Sequence, residues 1–192
     1  MHWEPWPAGG RGHPCYPSRA TLARMDDLLD RLAAARAGLA ATRPAVEAGA
    51  PWPLAETFDD SDEARWGPGE VLSHLSEMVP YWLGEIERVL AGDPEPVAFG
   101  RVATNPVRIA LVERDRSVPP RELYDRIDGD LGRFDRRWRT LSPADLARRG
   151  LHPSRGELTV AEMPDRFIVG HLADHVRQLE EILAGSDARH AT

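Results

Sequence analysis

The sequence contains no lysine: all 24 of its basic residues are arginines, a bias that we attribute to a GC-rich genome. It has a single cysteine, Cys15, which excludes an internal disulfide bond and is compatible with a reducing compartment such as the cytoplasm. It also has no apolar run that approaches the ~20 residues of a membrane-spanning helix. The expectation from these absences is a cytoplasmic protein with no segment in a membrane.

Positive charge is also scarce. The 31 acidic residues outnumber the 24 basic ones and give a formal net charge of −7. A nucleic-acid-binding protein needs a basic stripe that replaces the counterions of the phosphates, and no such stripe is evident along the chain. The composition therefore argues against a nucleic-acid partner.

The 192 residues are expected to form one domain with two tails. Residues 1–17 are rich in proline, glycine and tryptophan and lack the apolar stretch of a signal peptide, so they are predicted to be an irregular extension. Residues 18–185 contain the regular apolar patterns and are numerous enough to bury a substantial core. Residues 186–192 are predicted to be a frayed C-terminal tail.

Four long amphipathic helices are predicted within the domain, because apolar residues recur there every three or four positions. They cover residues 18–42, 68–91, 120–141 and 159–185. Shorter helices are predicted at residues 105–116 and 142–150, and no run alternates convincingly as a strand does. The expected fold class is therefore all-α, a four-helix bundle. The long connection between the first two long helices allows an order other than up-down-up-down.

Two histidines lie four residues apart in the last predicted helix. Its apolar stripe contains Ile168, Leu172 and Val176, and the neighbouring row on the same broad face contains His171 and His175. Side chains at this spacing have their β-carbons about 5–6 Å apart, so both rings can reach one metal ion at roughly 2.0–2.1 Å. Taken alone, the pair is more simply explained as ordinary core or helix-edge histidines.

A third histidine, His74, changes this balance. It lies on the apolar face of the second predicted helix, between Val71 and Met78. A buried imidazole needs a partner for its polar atoms, and one metal ion would satisfy all three rings together. Three protein ligands leave one coordination position for water or substrate, which is typical of a catalytic site. The pattern therefore favours a metal site.

Three further residues are candidates for catalytic roles near these histidines. Glu77 lies about one turn from His74 and is a candidate general base, and Tyr81 is a candidate pocket residue. Gln178 lies one turn beyond His175 on the same face, where it can hydrogen-bond a ligand or a ring nitrogen. Asp174 is expected to point away, about 100° around the helix from His175.

Three stretches in this order resemble a known family, the DinB-like superfamily. The segments are 66–75 (WGPGEVLSHL), 156–160 (GELTV) and 171–179 (HLADHVRQL). The superfamily includes YfiT-type metal-dependent hydrolases, together with S-transferases and isomerases that use bacillithiol or mycothiol. The resemblance covers about residues 18–185. It implies a four-helix bundle, sometimes dimeric, in which His74, His171 and His175 bind a divalent ion such as Zn²⁺ or Ni²⁺.

Three functions remain open at this stage. The first is a metal-dependent enzyme that uses a low-molecular-weight thiol, similar to mycothiol, as an S-transferase or isomerase. The second is a hydrolase in which the ion activates water. The third is a metal-binding module without catalysis, which would have no pocket for a small-molecule substrate beside the histidines. A homodimer is possible in each case.

Overall fold

The structure is a computed structural model that describes residues 19–54, 63 and 65–190, without the side chains of residues 20–22 and 187–190. The expected N-terminal extension at residues 1–17 lies outside the described residues, as do residues 55–62, 64, 191 and 192. Among the described residues, no helix is both long and apolar enough to cross a membrane.

Helices dominate the part of the chain that the structure describes, with three short strands between them. The elements are α1 (Arg19–Ala48), α2 (Pro68–Ala91), β1 (Val97–Ala98), α3 (Pro106–Asp115), α4 (Pro120–Trp138), α5 (Pro143–Ala147), β2 (Arg149–His152), β3 (Gly156–Thr159), a π-helical turn (Asp165–Val169) and α6 (Gly170–His190).

The four long helices α1, α2, α4 and α6 form the predicted bundle. α1 packs on α4 and α6, and α2 packs on the same two helices, so α1 and α2 lie diagonally across the core. This is the departure from up-down-up-down order that the long connection after α1 allowed. The centre contains fully buried apolar side chains from all four helices, among them Leu32, Leu72, Leu75, Met78, Ile127, Leu131, Phe134, Leu172 and Leu179. Burial of each such side chain stabilises the fold by roughly 1.5–3 kcal/mol.

α1 is longer than predicted. The sequence pattern placed its end near Thr42, but the helix continues through Pro44 to Ala48. Proline removes one backbone hydrogen bond from a helix. Tertiary contacts outweigh that loss here, because Val46 is fully buried and its carbonyl accepts a hydrogen bond of 2.8 Å from the indole of Trp52.

The last helix begins later than predicted and with an unusual turn. The carboxylate of Glu162 accepts hydrogen bonds from the backbone N–H (2.8 Å) and the hydroxyl (2.7 Å) of Thr159, as a capping box does. These contacts close a turn after β3, and the π-helical turn then leads into α6. α6 continues to His190, past the predicted end near Gly185. Single π-helical turns of this kind are frequent at functional sites.

A small sheet was missed by the sequence analysis, which found no convincing strand. β1 pairs in parallel with β2, and β2 pairs antiparallel with β3. The strands have only two to four residues, too few for an alternating pattern to be visible. β2 and the turn after it carry residues that line the cavity described below.

Candidate metal centre

Two helices supply the three histidines. His74 lies in the first half of α2, which begins with Pro68 at its first position and with the Glu70 carboxylate accepting a hydrogen bond of 3.1 Å from the N–H of Gly67. His171 and His175 lie in the first two turns of α6, directly after the π-helical turn. The apolar stripes of both helices face the core, and therefore the three imidazoles face each other.

The Nε2 atoms of the three rings converge. Nε2 of His171 lies 2.9 Å from Nε2 of His74 and 3.2 Å from Nε2 of His175. One ligand atom from each ring lies within 4.8 Å of the others. Three nitrogens bound to a tetrahedral Zn²⁺ would be roughly 3.3 Å apart, so the observed separations are those of a preformed ligand set.

Gln178 determines which nitrogen of His175 faces this centre. The amide nitrogen of Gln178 donates to the backbone carbonyl of Glu63 at 2.5 Å, so its oxygen must face His175. That oxygen lies 2.8 Å from Nδ1 of His175 and can only accept, so Nδ1 carries the proton. Nε2 of His175 therefore presents its lone pair to the centre, as a metal-binding imidazole with an outer hydrogen-bond partner does.

Hydrogen bonds alone cannot satisfy the three rings. One ring nitrogen has a single proton or a single lone pair, yet Nε2 of His171 faces two other ring nitrogens. Burial lowers the pKa of all three imidazoles, well below 6.5 for His74 and to about 4 for His171. The rings are therefore neutral at pH 7, the protonation state that binds metal ions. The donor set fits a divalent ion with one position left open.

Trp66 and Arg108 enclose the side of the centre that faces the start of α2. The Trp66 ring packs edge-on against His74 with its centroid 5.4 Å away, and the guanidinium of Arg108 lies over Trp66 at 5.6 Å. Arg108 is only 5% exposed, pairs with the Glu63 carboxylate and donates to the carbonyl of Ala103 at 3.2 Å. These contacts join three separate chain segments around the histidines.

A cavity of about 470 Å³ opens beside His74 and His171. Its lining is mainly basic and aromatic, and consists of the two histidines with Glu63, Trp82, Arg101, Val102, Ala103, Arg108, His152, Ser154, Arg155, Arg166 and Phe167. Trp82 stacks on Phe167 with ring centroids 4.1 Å apart, and Phe167 stacks on His152 at 5.2 Å. The cavity is within the size range of small-molecule sites.

His152 is another buried histidine beside the same cavity. Its Nδ1 accepts a hydrogen bond of 3.2 Å from the N–H of Ser154, so the neutral ring carries its proton on Nε2. Burial lowers the pKa of His152. The ring also packs tightly on Gly100, where a Cβ atom would come within 2.3 Å of it. His152 therefore holds the loop that precedes Arg101.

The predicted catalytic candidates separate into two groups. Gln178 contacts the histidine centre, whereas Glu77 and Tyr81 line a second cavity of about 850 Å³. Arg101 lines both cavities; it binds the Glu77 carboxylate at 2.6 Å and stacks on Tyr81 at 3.6 Å. Burial raises the pKa of Tyr81 to about 12. Catalytic roles for Glu77 and Tyr81 stay predictions.

Several residues of the site were missed by sequence reasoning. Glu63 lies in the connection between the first two long helices and was not singled out, and Trp66 was noticed only as part of a motif. His152, Arg155 and Arg166 gave no signal, because loop residues acquire a function only through tertiary contacts. Asp174, as expected, points outward and pairs with Arg177.

Comparisons with known proteins bear on the family and the fold. A family model described as the DinB superfamily matches residues 19–179. The structure of YfiT from Bacillus subtilis, described as "a probable metal-dependent hydrolase with an unusual four-helix bundle topology", is similar with a TM-score of 0.67 at 17% identity, over 95% of this chain and 97% of that one. A mycothiol-dependent maleylpyruvate isomerase is similar with a TM-score of 0.51 at 15% identity, over 83% of this chain and 61% of that one. No curated protein sequence matches the chain.

Proposed function

Because the chain belongs to the DinB superfamily, we propose that it is a divalent-metal-dependent enzyme that acts with a low-molecular-weight thiol, as an S-transferase or isomerase. The observation that carries the proposal is the convergence of three neutral imidazoles beside a cavity large enough for a substrate. The structure-level similarity to a mycothiol-dependent isomerase supports a thiol, and a mycothiol-like thiol is the first candidate.

The donor set is suited to Zn²⁺ or Ni²⁺. His74, His171 and His175 would bind the ion through nitrogen, which both metals accept. When bound, such an ion supplies a Lewis acid that lowers the pKa of a thiol or of water. Three neutral ligands leave its charge of +2 uncompensated, and this favours an anionic fourth group such as a thiolate.

The chain's own residues perform the remaining tasks. Gln178 fixes the tautomer of His175, and Trp66 with Arg108 shields the centre on one side. The aromatic stack of Trp82 and Phe167 offers a flat apolar wall to a substrate.

Hydrolysis is the second candidate function, and Glu63 is the residue that favours it. This residue lines the cavity together with His74 and His171, and a carboxylate beside a metal-bound water can take its proton. It is also paired with Arg108. The similarity to a probable metal-dependent hydrolase supports this alternative. A module without catalysis is disfavoured by the cavity beside the histidines.

The proposal is tested with the cobalt-substituted protein. Addition of a small thiol should produce a thiolate-to-cobalt charge-transfer band, and the apparent affinity should increase with pH until the free thiol ionises. Alanine at His74, His171 or His175 should each abolish tight metal binding while the far-ultraviolet spectrum stays helical. Asp174→Asn is the matched control, because this side chain lies on the same helix but points to solvent.

Two results would overturn the proposal. Stoichiometric Zn²⁺ or Ni²⁺ in the His171→Ala, His175→Ala double variant would show that the metal binds elsewhere. A cobalt spectrum that no thiol perturbs, together with turnover of simple esters or amides, would favour the hydrolase.

A further inference from the structure

Arginines in this protein generally have an acidic partner. Ion pairs involve fifteen of them among the described residues: Arg31, Arg36, Arg43, Arg88, Arg101, Arg108, Arg114, Arg116, Arg126, Arg133, Arg137, Arg139, Arg148, Arg149 and Arg177. This is expected for a chain in which carboxylates are in excess. An arginine at a cavity that has no ion pair therefore calls for an explanation.

Two such arginines line the histidine cavity. Arg155 lies in the turn between β2 and β3, and Arg166 lies in the π-helical turn that leads into α6. Neither has an ion pair or a hydrogen-bonded side-chain partner within the described part of the chain, in contrast to Arg101 and Arg108 in the same lining. Both are exposed, so they lie where the cavity meets solvent.

The carboxylates nearest to them along the chain are engaged elsewhere. Glu162, whose pKa is lowered in part by the charge of Arg166, is held by two hydrogen bonds from Thr159. Asp165 pairs with Arg31, and Glu157 pairs with Arg149 at 2.9 Å. Arg155 and Arg166 thus both lie at one cavity without an ion pair among the described residues.

The two charges also act on the same wall. Both lie close enough to His152 for their charge to oppose its protonation, and His152 stacks on Phe167. Phe167 is adjacent to Arg166 in the chain, so the aromatic wall continues directly into the basic edge. A flat apolar group on this wall would have an attached anion close to this basic edge.

We infer that Arg155 and Arg166 form an anion-binding subsite at the mouth of the histidine cavity, which holds a carboxylate or phosphate of the substrate. This inference rests on the proposed function, since it assumes that the reacting part of the same molecule faces His74 and His171. Arginine is suited to this role because its planar donors can bind either oxyanion through two hydrogen bonds. The enzyme would then select acidic substrates that also have a flat apolar portion.

The test compares two anionic aromatic probes with a neutral one. Phenylacetate, phenyl phosphate and the neutral phenylacetamide are titrated calorimetrically into the full-length protein, once treated with a chelator and once loaded with Zn²⁺. In both forms we expect an anion to bind about 10-fold more tightly than the amide, because hydrogen bonds to charged groups are stronger than neutral ones. The relative affinities of the two anions identify the group that the subsite prefers.

The double variant Arg155→Gln, Arg166→Gln should bind the anions and the amide with nearly equal affinity. Arg149→Gln is the matched control, since this arginine lies on the same small sheet but is already paired with Glu157. The replaced side chains are exposed, so the variants should fold, which their melting temperatures check. An unchanged preference in the double variant, or no preference in the wild-type protein, would overturn the inference.

A comparison of the metal-free and Zn²⁺-loaded proteins tests the anion subsite independently of the proposed function. If the double variant still prefers the anions to the amide, but only when Zn²⁺ is bound, the anion binds to the metal ion and the subsite is refuted. A preference that depends on both arginines in a protein that binds no metal would support the subsite while the proposed function fails.

Discussion

Replacement of Gln178 by leucine is a direct test of how the histidine centre is organised. The two side chains are similar in size, but leucine cannot accept a hydrogen bond from Nδ1 of His175 or donate one to the carbonyl of Glu63. Two polar groups then lose their partner, and the ring of His175 is no longer held in the tautomer that directs Nε2 towards the other histidines.

The size of the effect follows from these contacts. Loss of an outer hydrogen-bond partner of a metal-binding histidine typically weakens metal affinity about 10- to 100-fold. That range corresponds to roughly 1.4–2.8 kcal/mol, which agrees with the ~1–3 kcal/mol cost of leaving a buried polar group unpaired. We expect the Gln178→Leu protein to bind Zn²⁺ with an affinity reduced by this factor and to remain folded.

The assay is a competition titration with a chromophoric chelator. Gln178→Glu separates the two contacts of the amide, because a carboxylate still accepts from Nδ1 of His175 but cannot donate to the carbonyl of Glu63. We expect this variant to lose less than about 10-fold, since the interaction that orients the ring is retained. The reasoning would be refuted if leucine left the affinity within about twofold of wild type, or if glutamate weakened it as much as leucine.

Two further predictions concern stability. The free energy of unfolding of the metal-free protein should decrease as the pH falls from about 6.5 towards about 4. Burial lowers the pKa of His171 to about 4, whereas the same histidine in the unfolded chain takes up its proton at about 6.5. Urea titrations at about pH 7.5, 6 and 5 check this, and a midpoint that does not change with pH would contradict it. Gly100→Ala should destabilise the protein more than Gly156→Ala. The backbone strain is similar at the two positions, where φ is +81° and +77°, but only at Gly100 would the new Cβ come within 2.3 Å of His152. The strain at Gly156 alone is worth about 1–2 kcal/mol, and equal losses in urea unfolding would argue against the His152 contact.

The helices and the three histidines could be predicted because both depend on local spacing. His171 and His175 are neighbours on any helix, and the apolar stripe around His74 indicates that it faces the core. The tertiary fold only has to bring the histidine-bearing faces of the two helices together. A helical bundle does this because the apolar stripes on both helices must be buried against each other. Four-helix packing was therefore predictable, although the diagonal placement of α1 and α2 follows from contacts that have no local pattern.

The remainder of the site could not be predicted, because it depends on groups with no characteristic spacing. Glu63 contributes a backbone carbonyl that any residue could supply. Arg155 and Arg166 resemble ordinary surface arginines until the small sheet and the π-helical turn place them at one cavity. The end of α1 was predicted too early because burial of Val46 outweighs a local signal, the proline at position 44.

The separation of the three histidines along the chain determines when the proposed metal site can form during synthesis. His74 and His171 are 97 positions apart, and Gln178 is 115 positions from the carbonyl that orients it. A ribosome adds about 5–20 residues per second, so roughly 5–20 seconds pass between the synthesis of the first ligand and that of the second. Throughout that interval the emerging chain has one histidine of the set. The proposed metal site can therefore form only after α6 has been synthesised and has packed against α2.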